Sequence, residues 1–108
     1  MDNEMELSET NFHSEVLKSK IPVLVDFWAE WCMPCRMVSP VIDALAIKYG
    51  ENIKVRKLNV DEHNKLAVKY GITSIPALII FKKGKIFKRH IGVASKKVLD
   101  SFITESLQ

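Results

Sequence analysis

Hydrophobic residues follow a helical period in some segments of this chain and a strand period in others. The first helical segment runs to about Lys20, and Pro22 follows it as a stop signal. Ser8 or Thr10 is the expected N-cap of this segment. Its apolar face consists of Phe12, Val16 and Leu17. The pattern therefore predicts an amphipathic first helix.

Four short segments read as strands. Val23 to Trp28 is apolar on both faces apart from Asp26, which is typical of a central strand in a mainly parallel sheet. Ile53 to Asn59 alternates enough to predict a second central strand. Ala77 to Phe81 and Ile86 to Ile91 flank a Lys-Lys-Gly-Lys turn, so they are predicted to pair as an antiparallel hairpin.

Three further segments keep helical spacing. The longest runs from Pro34 to about Tyr49, and Gly50 ends it. Asp61 to Tyr70 is a shorter predicted helix. Ser95 caps a last helix, whose apolar residues are Val98, Leu99, Phe102 and Ile103.

The order of these elements defines the expected fold class. It is helix, strand, helix, strand, helix, strand, strand, helix, which predicts an α/β domain with a central mixed β-sheet and helices on both faces. A chain of 108 residues that is 47% hydrophobic suits one core, so residues 1–108 are expected to form a single domain. About residues 1–6 are expected to be a flexible N-terminal segment, with an edge strand before Ser8 as the alternative.

Composition and charge argue against several classes of protein. Sixteen Lys and Arg against thirteen Asp and Glu give a net charge of +3, which is too weak for a dedicated nucleic-acid binder. No segment approaches the roughly 20 apolar residues of a membrane-spanning helix, and the start is acidic where a secretory signal is basic. We therefore expect a cytoplasmic monomer without nucleic-acid or membrane partners. A solvated hairpin that protects a sheet edge explains the largest basic cluster, which is Lys82, Lys83, Lys85, Lys88 and Arg89.

The only two cysteines, Cys32 and Cys35, are two residues apart. A structural disulfide is a poor explanation, because stabilisation by a disulfide grows with the length of the loop that it closes. A structural zinc site needs four ligands, and no second cysteine pair or paired-histidine spacing accompanies His13, His63 and His90. Reversible dithiol chemistry remains as the explanation.

The predicted position of the cysteines suits that chemistry. They lie where a central strand gives way to a helix, at the strand's carboxyl end, which is where open α/β sheets place their sites. The positive end of the helix favours the Cys32 thiolate, so Cys32 is the expected attacking thiol. Cys35 lies one turn inside, where burial disfavours its thiolate, and is the expected resolving thiol. Pro34 fits the first helical turn.

The segment VDFWAEWCMPCR, from Val25 to Arg36, resembles the active site of the thioredoxin family, and Thr73 to Pro76 resembles the second signature of that family. The resemblance extends along nearly the whole chain. It implies the thioredoxin-like fold and a thiol-disulfide oxidoreductase that reduces protein disulfides. It also implies a chain without a bound cofactor, which passes electrons through a redox-active disulfide. Its implied partners are disulfide-containing target proteins and a separate thioredoxin reductase that uses NADPH or ferredoxin.

Asp26 and Lys57 are the expected proton-transfer pair of such a site. Burial in an apolar strand is expected to raise the pKa of the Asp26 carboxyl, which makes it a candidate acceptor for the proton that Cys35 loses. Lys57 shares strand parity with Ile53 and Val55, and the resemblance implies that it neighbours Asp26. A buried structural ion pair is the alternative explanation.

The resemblance also implies how targets bind. It implies a cis Ile75–Pro76 peptide bond that packs against the dithiol and leaves the backbone of Ile75 for an extended target segment. A turn before a strand is the simpler alternative. Trp31, in a loop, is predicted to lie in a contact surface, and Trp28 in the core. Gly92 resembles the family's glycine that lets target backbone approach, although a turn explains it equally well.

Met33 departs from the family, which usually has glycine between the cysteine and the proline. Its uncharged thioether leaves the reducing assignment in place, and we expect it to extend the docking surface and to shift the redox potential. Two other functions stay open from the residues alone. One is a dithiol oxidant or isomerase, and the other is a binding or scaffold subunit that keeps the fold without turnover.

Overall fold

A computed structural model describes residues 5–108, which form a mixed sheet of five strands. The strands are β1 (Met5–Glu6), β2 (Val23–Trp28), β3 (Lys54–Asn59), β4 (Ala77–Lys82) and β5 (Lys85–Ile91). They lie in the order β1-β3-β2-β4-β5. β3 is parallel to β1 and β2, whereas β4 is antiparallel to β2 and β5. This confirms the predicted mixed sheet and the predicted hairpin.

Three α-helices connect and cover the strands. They are α1 (Met33–Tyr49), α2 (Asn64–Lys69) and α3 (Lys96–Ser106). The bounds of α1, β3, β4 and β5 differ from the predicted ones by one residue at most. The hairpin turns through Lys83 and Gly84, whose φ angles of 54° and 79° are the positive values that a two-residue hairpin turn requires.

Helices lie on both faces of the sheet because β2 sends alternate residues into two separate cores. Val25 and Phe27 pack on the face that α2 covers. Leu24 packs on the opposite face, against Ile42 of α1 and Leu99 of α3. The α/β fold class is therefore confirmed.

The predicted first helix is wrong in length and type. Only His13–Leu17 is helical, as a short π-helical segment with Phe12 at its N-cap and no side-chain capping bond. Ser8 does not cap a helix. Its Oγ instead accepts a hydrogen bond from the backbone N–H of Thr10 at 3.3 Å, which closes a local turn.

The α2 helix is also shorter than the predicted span from Asp61 to Tyr70, because it begins only at Asn64. The cause is the side chain of Asn59. Its Oδ1 accepts hydrogen bonds from the backbone N–H groups of Asp61 at 2.9 Å and Glu62 at 3.3 Å. These bonds hold the segment after β3 as a turn, which competes with helix formation.

The start of the chain is a strand where the structure describes it. Met5 and Glu6 form β1 and pair with Arg56 and Lys57 of β3. The edge-strand alternative is therefore confirmed at residues 5 and 6, and the expected flexibility of the segment stays a prediction. The remainder of that expectation, residues 1–4, lies outside the described residues.

The α3 helix begins with the predicted cap. Ser95 Oγ accepts a hydrogen bond from the backbone N–H of Val98 at 3.2 Å. We expect Ser95→Ala to lower the free energy of unfolding by about 1 kcal/mol, because it leaves this N–H group without its acceptor. Urea denaturation measures the change. Ser101→Ala, at an exposed position of the same helix, is the control, and equal losses in both variants contradict the capping role.

Candidate active site

Cys32 and Cys35 form a disulfide at the amino-terminal end of α1, with their Cα atoms 5.3 Å apart. Cys32 is the N-cap, and its Sγ accepts a hydrogen bond from the backbone N–H of Cys35 at 3.2 Å. Pro34 lies in the first turn, as predicted. Both cysteines are buried, with 2% and 3% of their surface exposed. The N–H of Cys35 at this helix end therefore faces the Cys32 sulfur, which favours negative charge there.

A second group of predicted residues lies beside the disulfide. Ile75 packs against the buried cluster that contains both cysteines, and the Ile75–Pro76 peptide bond is cis. The carbonyl of Pro76 accepts a hydrogen bond from the backbone N–H of Gly92 at 2.8 Å. The cis bond that the resemblance implied is therefore confirmed, and one hydrogen bond joins Gly92 to this segment.

Gly92 has a φ of 96°, a conformation that side-chain-bearing residues rarely adopt. A Cβ added there would meet no heavy atom of the described residues within 4 Å. Backbone conformation therefore explains why the residue is glycine, as the turn alternative proposed, and the space in front of it is open.

The two tryptophans lie in different environments. Trp31 is 70% exposed, and its Nε1 donates a hydrogen bond to Asp61 Oδ2 at 2.8 Å. With Ile75 it lines a surface cavity of about 350 Å³, which also includes Thr73 and Ser74. Trp31 thus lies in an exposed surface, as predicted. Trp28 is partly buried and packs against the cysteine cluster, so its predicted place in the core is confirmed in part.

Asp26 and Lys57 lie side by side behind the disulfide. They are paired positions of β2 and β3, both are buried, and they line a cavity of about 150 Å³ together with Cys35. Lys57 Nζ donates a hydrogen bond to Ser39 Oγ at 3.4 Å and lies 5.8 Å from the centre of the Trp28 ring. Asp26 and Lys57, which the resemblance implied to be neighbours, therefore line one cavity with Cys35.

Two methionines of α1 extend from the same end of the helix. Met33 is 64% exposed and Met37 is 63% exposed. Residues four positions apart are neighbours on one face of a helix, so the two thioethers share a surface. Met33 therefore contributes exposed apolar surface immediately beside the buried Cys32.

Sequence reasoning missed several residues that shape this site. Ser39 contacts Lys57, and its position four residues after Cys35 on a predicted helix was an available signal. Arg36 lines the same cavity and donates a hydrogen bond from Nη2 to the carbonyl of Glu30 at 2.7 Å. No local pattern signalled that bond, which depends on how the loop before Cys32 folds back on α1.

The family model described as Thioredoxin matches residues 3–105. The chain therefore belongs to the thioredoxin family. It is 48% identical over 100 residues to the thioredoxin of Porphyra purpurea, an alignment that covers 93% of this chain and 94% of that protein. It is also 48% identical over 101 residues to thioredoxin 1 of Synechococcus elongatus, covering 94% of each. The thioredoxin of Rickettsia typhi is 43% identical over 101 residues, with 94% and 96% covered.

These matches and the Cys32–Cys35 pair identify the activity. The protein is a thiol-disulfide oxidoreductase with protein-disulfide reductase activity, as the sequence predicted. The family implies two kinds of partner, a reductase and disulfide-containing target proteins.

The described residues include neither a candidate metal centre nor a membrane span. No group of three or more His, Cys, Asp or Glu within residues 5–108 is arranged to hold a metal ion. Over the same residues, no helix is both long enough and apolar enough to cross a membrane.

Proposed function

We propose that the protein reduces target disulfides by two successive exchanges in which Cys32 attacks and Cys35 resolves. The Cys32 thiolate bonds to one target sulfur, and the target S–S bond breaks to release the other sulfur as a thiolate. The Cys35 thiolate then attacks Cys32 Sγ, which frees the target dithiol and leaves the Cys32–Cys35 disulfide. The position of Cys32 Sγ at the helix start, beside the N–H of Cys35, is the observation that carries this assignment.

Asp26 accepts the proton that Cys35 loses before the second exchange. The cavity shared by Asp26, Lys57 and Cys35 supports this role, because its volume of about 150 Å³ accommodates water that relays a proton. Lys57 is a positioning residue in this scheme, because it pairs with Asp26 across β2 and β3 and lines the same cavity.

The target binds across the surface around Cys32. Ile75 offers backbone groups to an extended target segment. The hydrogen bond between Pro76 and Gly92 holds the segment that carries Ile75 in place, and the open space at Gly92 admits target backbone. Trp31 and Met33 supply exposed apolar contacts on the helix side, next to Pro34. Together these residues form the docking surface, which is Trp31, Met33, Pro34, Ile75, Pro76 and Gly92.

The electrons come from a separate thioredoxin reductase, dependent on NADPH or ferredoxin, and the chain itself holds no cofactor. The sequence contains no nucleotide-binding fingerprint, which supports placing the nicotinamide or ferredoxin chemistry in the partner. The protein acts in the cytoplasm as a monomer, as one domain of residues 1–108, without nucleic-acid or membrane partners. Its small net charge of +3 is consistent with the absence of nucleic-acid partners.

The redox potential of the Cys32–Cys35 couple tests the direction of electron flow. Equilibration against a glutathione buffer, with thiol alkylation as the readout, is expected to give a potential more reducing than about −230 mV, the lower bound for glutaredoxins. A more oxidising potential contradicts the reductase role and indicates the oxidant or isomerase that the cysteine spacing alone also allowed.

Met33→Gly tests the contribution of Met33 to docking. We expect KM for a disulfide-bonded protein to rise about fivefold, corresponding to about 1 kcal/mol of lost apolar contact, together with a measurable change in redox potential. Ile47→Ala removes an equally exposed apolar side chain near the other end of α1 and is expected to change neither quantity. The hypothesis fails if Met33→Gly leaves both target kinetics and potential unchanged.

A further inference from the structure

Met33 presents an exposed sulfur between two buried ones. In the disulfide form, Cys32 and Cys35 carry no thiolate and are almost fully covered, whereas most of the Met33 side chain is accessible. Peroxides react with exposed thioethers, and protection by burial, which both cysteines have, is lacking at Met33. In this form of the protein, Met33 is therefore an exposed methionine directly adjacent in the chain to Cys32.

The location of Met33 also means that a change in its chemistry affects access to Cys32. Because only 2% of the Cys32 surface is exposed, a target sulfur reaches it only when the target lies against the neighbouring side chains. Met33 directly follows Cys32 and begins α1, so its side chain borders that approach.

We propose that Met33 is a site of oxidation by hydrogen peroxide, and that Met33 sulfoxide weakens the docking of target proteins without disabling the dithiol. The proposal rests on the proposed function, in which Met33 belongs to the docking surface. In the reaction, the thioether sulfur attacks one peroxide oxygen, the O–O bond breaks, and the products are the sulfoxide and water. The sulfur atom loses two electrons, and the peroxide gains them as it is reduced to water.

The sulfoxide affects docking through its hydration. A thioether is apolar and adapts to the surface of a partner, but a sulfoxide oxygen is a strong hydrogen-bond acceptor that has to lose water when a target covers it. We expect this to raise KM for a protein target about tenfold. A small disulfide that reaches Cys32 without covering Met33 does not displace that water, so its reduction is expected to continue at the same rate.

The experiment uses the full-length protein in its disulfide form. It is treated with hydrogen peroxide, the excess is removed, and peptide mass spectrometry identifies which methionines have gained one oxygen. Dithiothreitol then reduces the disulfide and leaves the sulfoxide in place. Excess dithiothreitol is removed, and a saturating amount of a thioredoxin reductase with NADPH supplies the electrons. Steady-state kinetics are then recorded with a disulfide-bonded protein and with a small aromatic disulfide. Met33→Leu removes the oxidisable sulfur at similar volume, and Met37→Leu is the matched control one helical turn away.

Each protein is compared with its own untreated sample. The expected result is an oxygen on Met33 and a rise of about tenfold in KM for the protein substrate in the unsubstituted chain and in Met37→Leu, with no rise in Met33→Leu. The proposal is overturned if Met33 gains no oxygen, if its sulfoxide leaves KM unchanged, if Met33→Leu loses as much as the unsubstituted chain, or if both substrates are affected equally.

The untreated samples separate this proposal from the proposed function. If the untreated, unsubstituted protein reduces neither substrate, the proposed function itself fails. If it reduces both and peroxide treatment leaves KM for the protein substrate unchanged, only the role of Met33 fails.

Discussion

Cys32→Ser is expected to lower kcat/KM for the reduction of protein disulfides by more than about 1,000-fold. A serine hydroxyl stays protonated at neutral pH and does not form the mixed disulfide. The remaining thiol, Cys35, lies inside α1 and not at the N-cap, where the helix start favours a thiolate. Cys35→Ser keeps the attacking thiol and loses the resolving one. We therefore expect it to accumulate mixed disulfides with target proteins, visible as adducts on non-reducing gels.

The two single variants control for each other, because each replaces one sulfur by oxygen at a neighbouring position of the same helix end. Circular dichroism establishes that both keep the fold. Full reductase activity in Cys32→Ser contradicts the assignment of the attacking thiol. A cellular function that survives in the double variant, with both cysteines replaced by serine, shows that the chain also acts as a binding or scaffold subunit.

Asp26→Asn is expected to slow the release of a target from its mixed disulfide by about 100-fold, because the amide does not accept the proton of Cys35. A single-turnover experiment with acid quenching follows the decay of the mixed disulfide. The first attack by Cys32 is expected to keep its rate. Asp43→Asn, which changes a partly buried carboxyl on α1, is the control and is expected to leave both steps unchanged.

The same variants distinguish proton transfer from a buried structural ion pair. A structural pair predicts that Asp26→Asn and Lys57→Met each lower the free energy of unfolding by about 3–5 kcal/mol while the rate of target release stays the same. Proton transfer predicts that target release slows in Asp26→Asn at neutral pH and that the loss shrinks at alkaline pH, where hydroxide removes the proton of Cys35. A variant that is merely less stable but resolves normally therefore contradicts the role proposed for Asp26.

Long patterns with a consistent period were predictable from the sequence. The α1 helix kept an apolar face over four turns between a proline and a glycine, and β2 was a continuous run of residues that favour strands. The predicted starts of the first helix and of α2 were wrong for the same physical reason. In both places a short polar side chain, Ser8 or Asn59, bonds to nearby backbone N–H groups and holds a turn where propensity alone allows a helix.

Some features of the candidate site were likewise predictable from local pattern, and others were not. The strand-to-helix position of the cysteines followed from local pattern, whereas the adjacency of Asp26 and Lys57 depends on the parallel register of β2 and β3, which the resemblance implied and local pattern does not determine. Contacts such as Trp31 with Asp61 join residues thirty positions apart. They arise only when the chain is folded, so no local pattern contained them.

The disulfide closes a ring with only two residues between its cysteines, at the rim of a fold whose two cores lie elsewhere. Opening so small a ring returns little entropy to the unfolded chain, so the covalent state of the sulfurs contributes little to holding the fold together. The oxidised and reduced forms thus share one scaffold. Each catalytic cycle changes two sulfur atoms and leaves the rest of the molecule ready for the next exchange, which is the property that a reusable electron carrier needs.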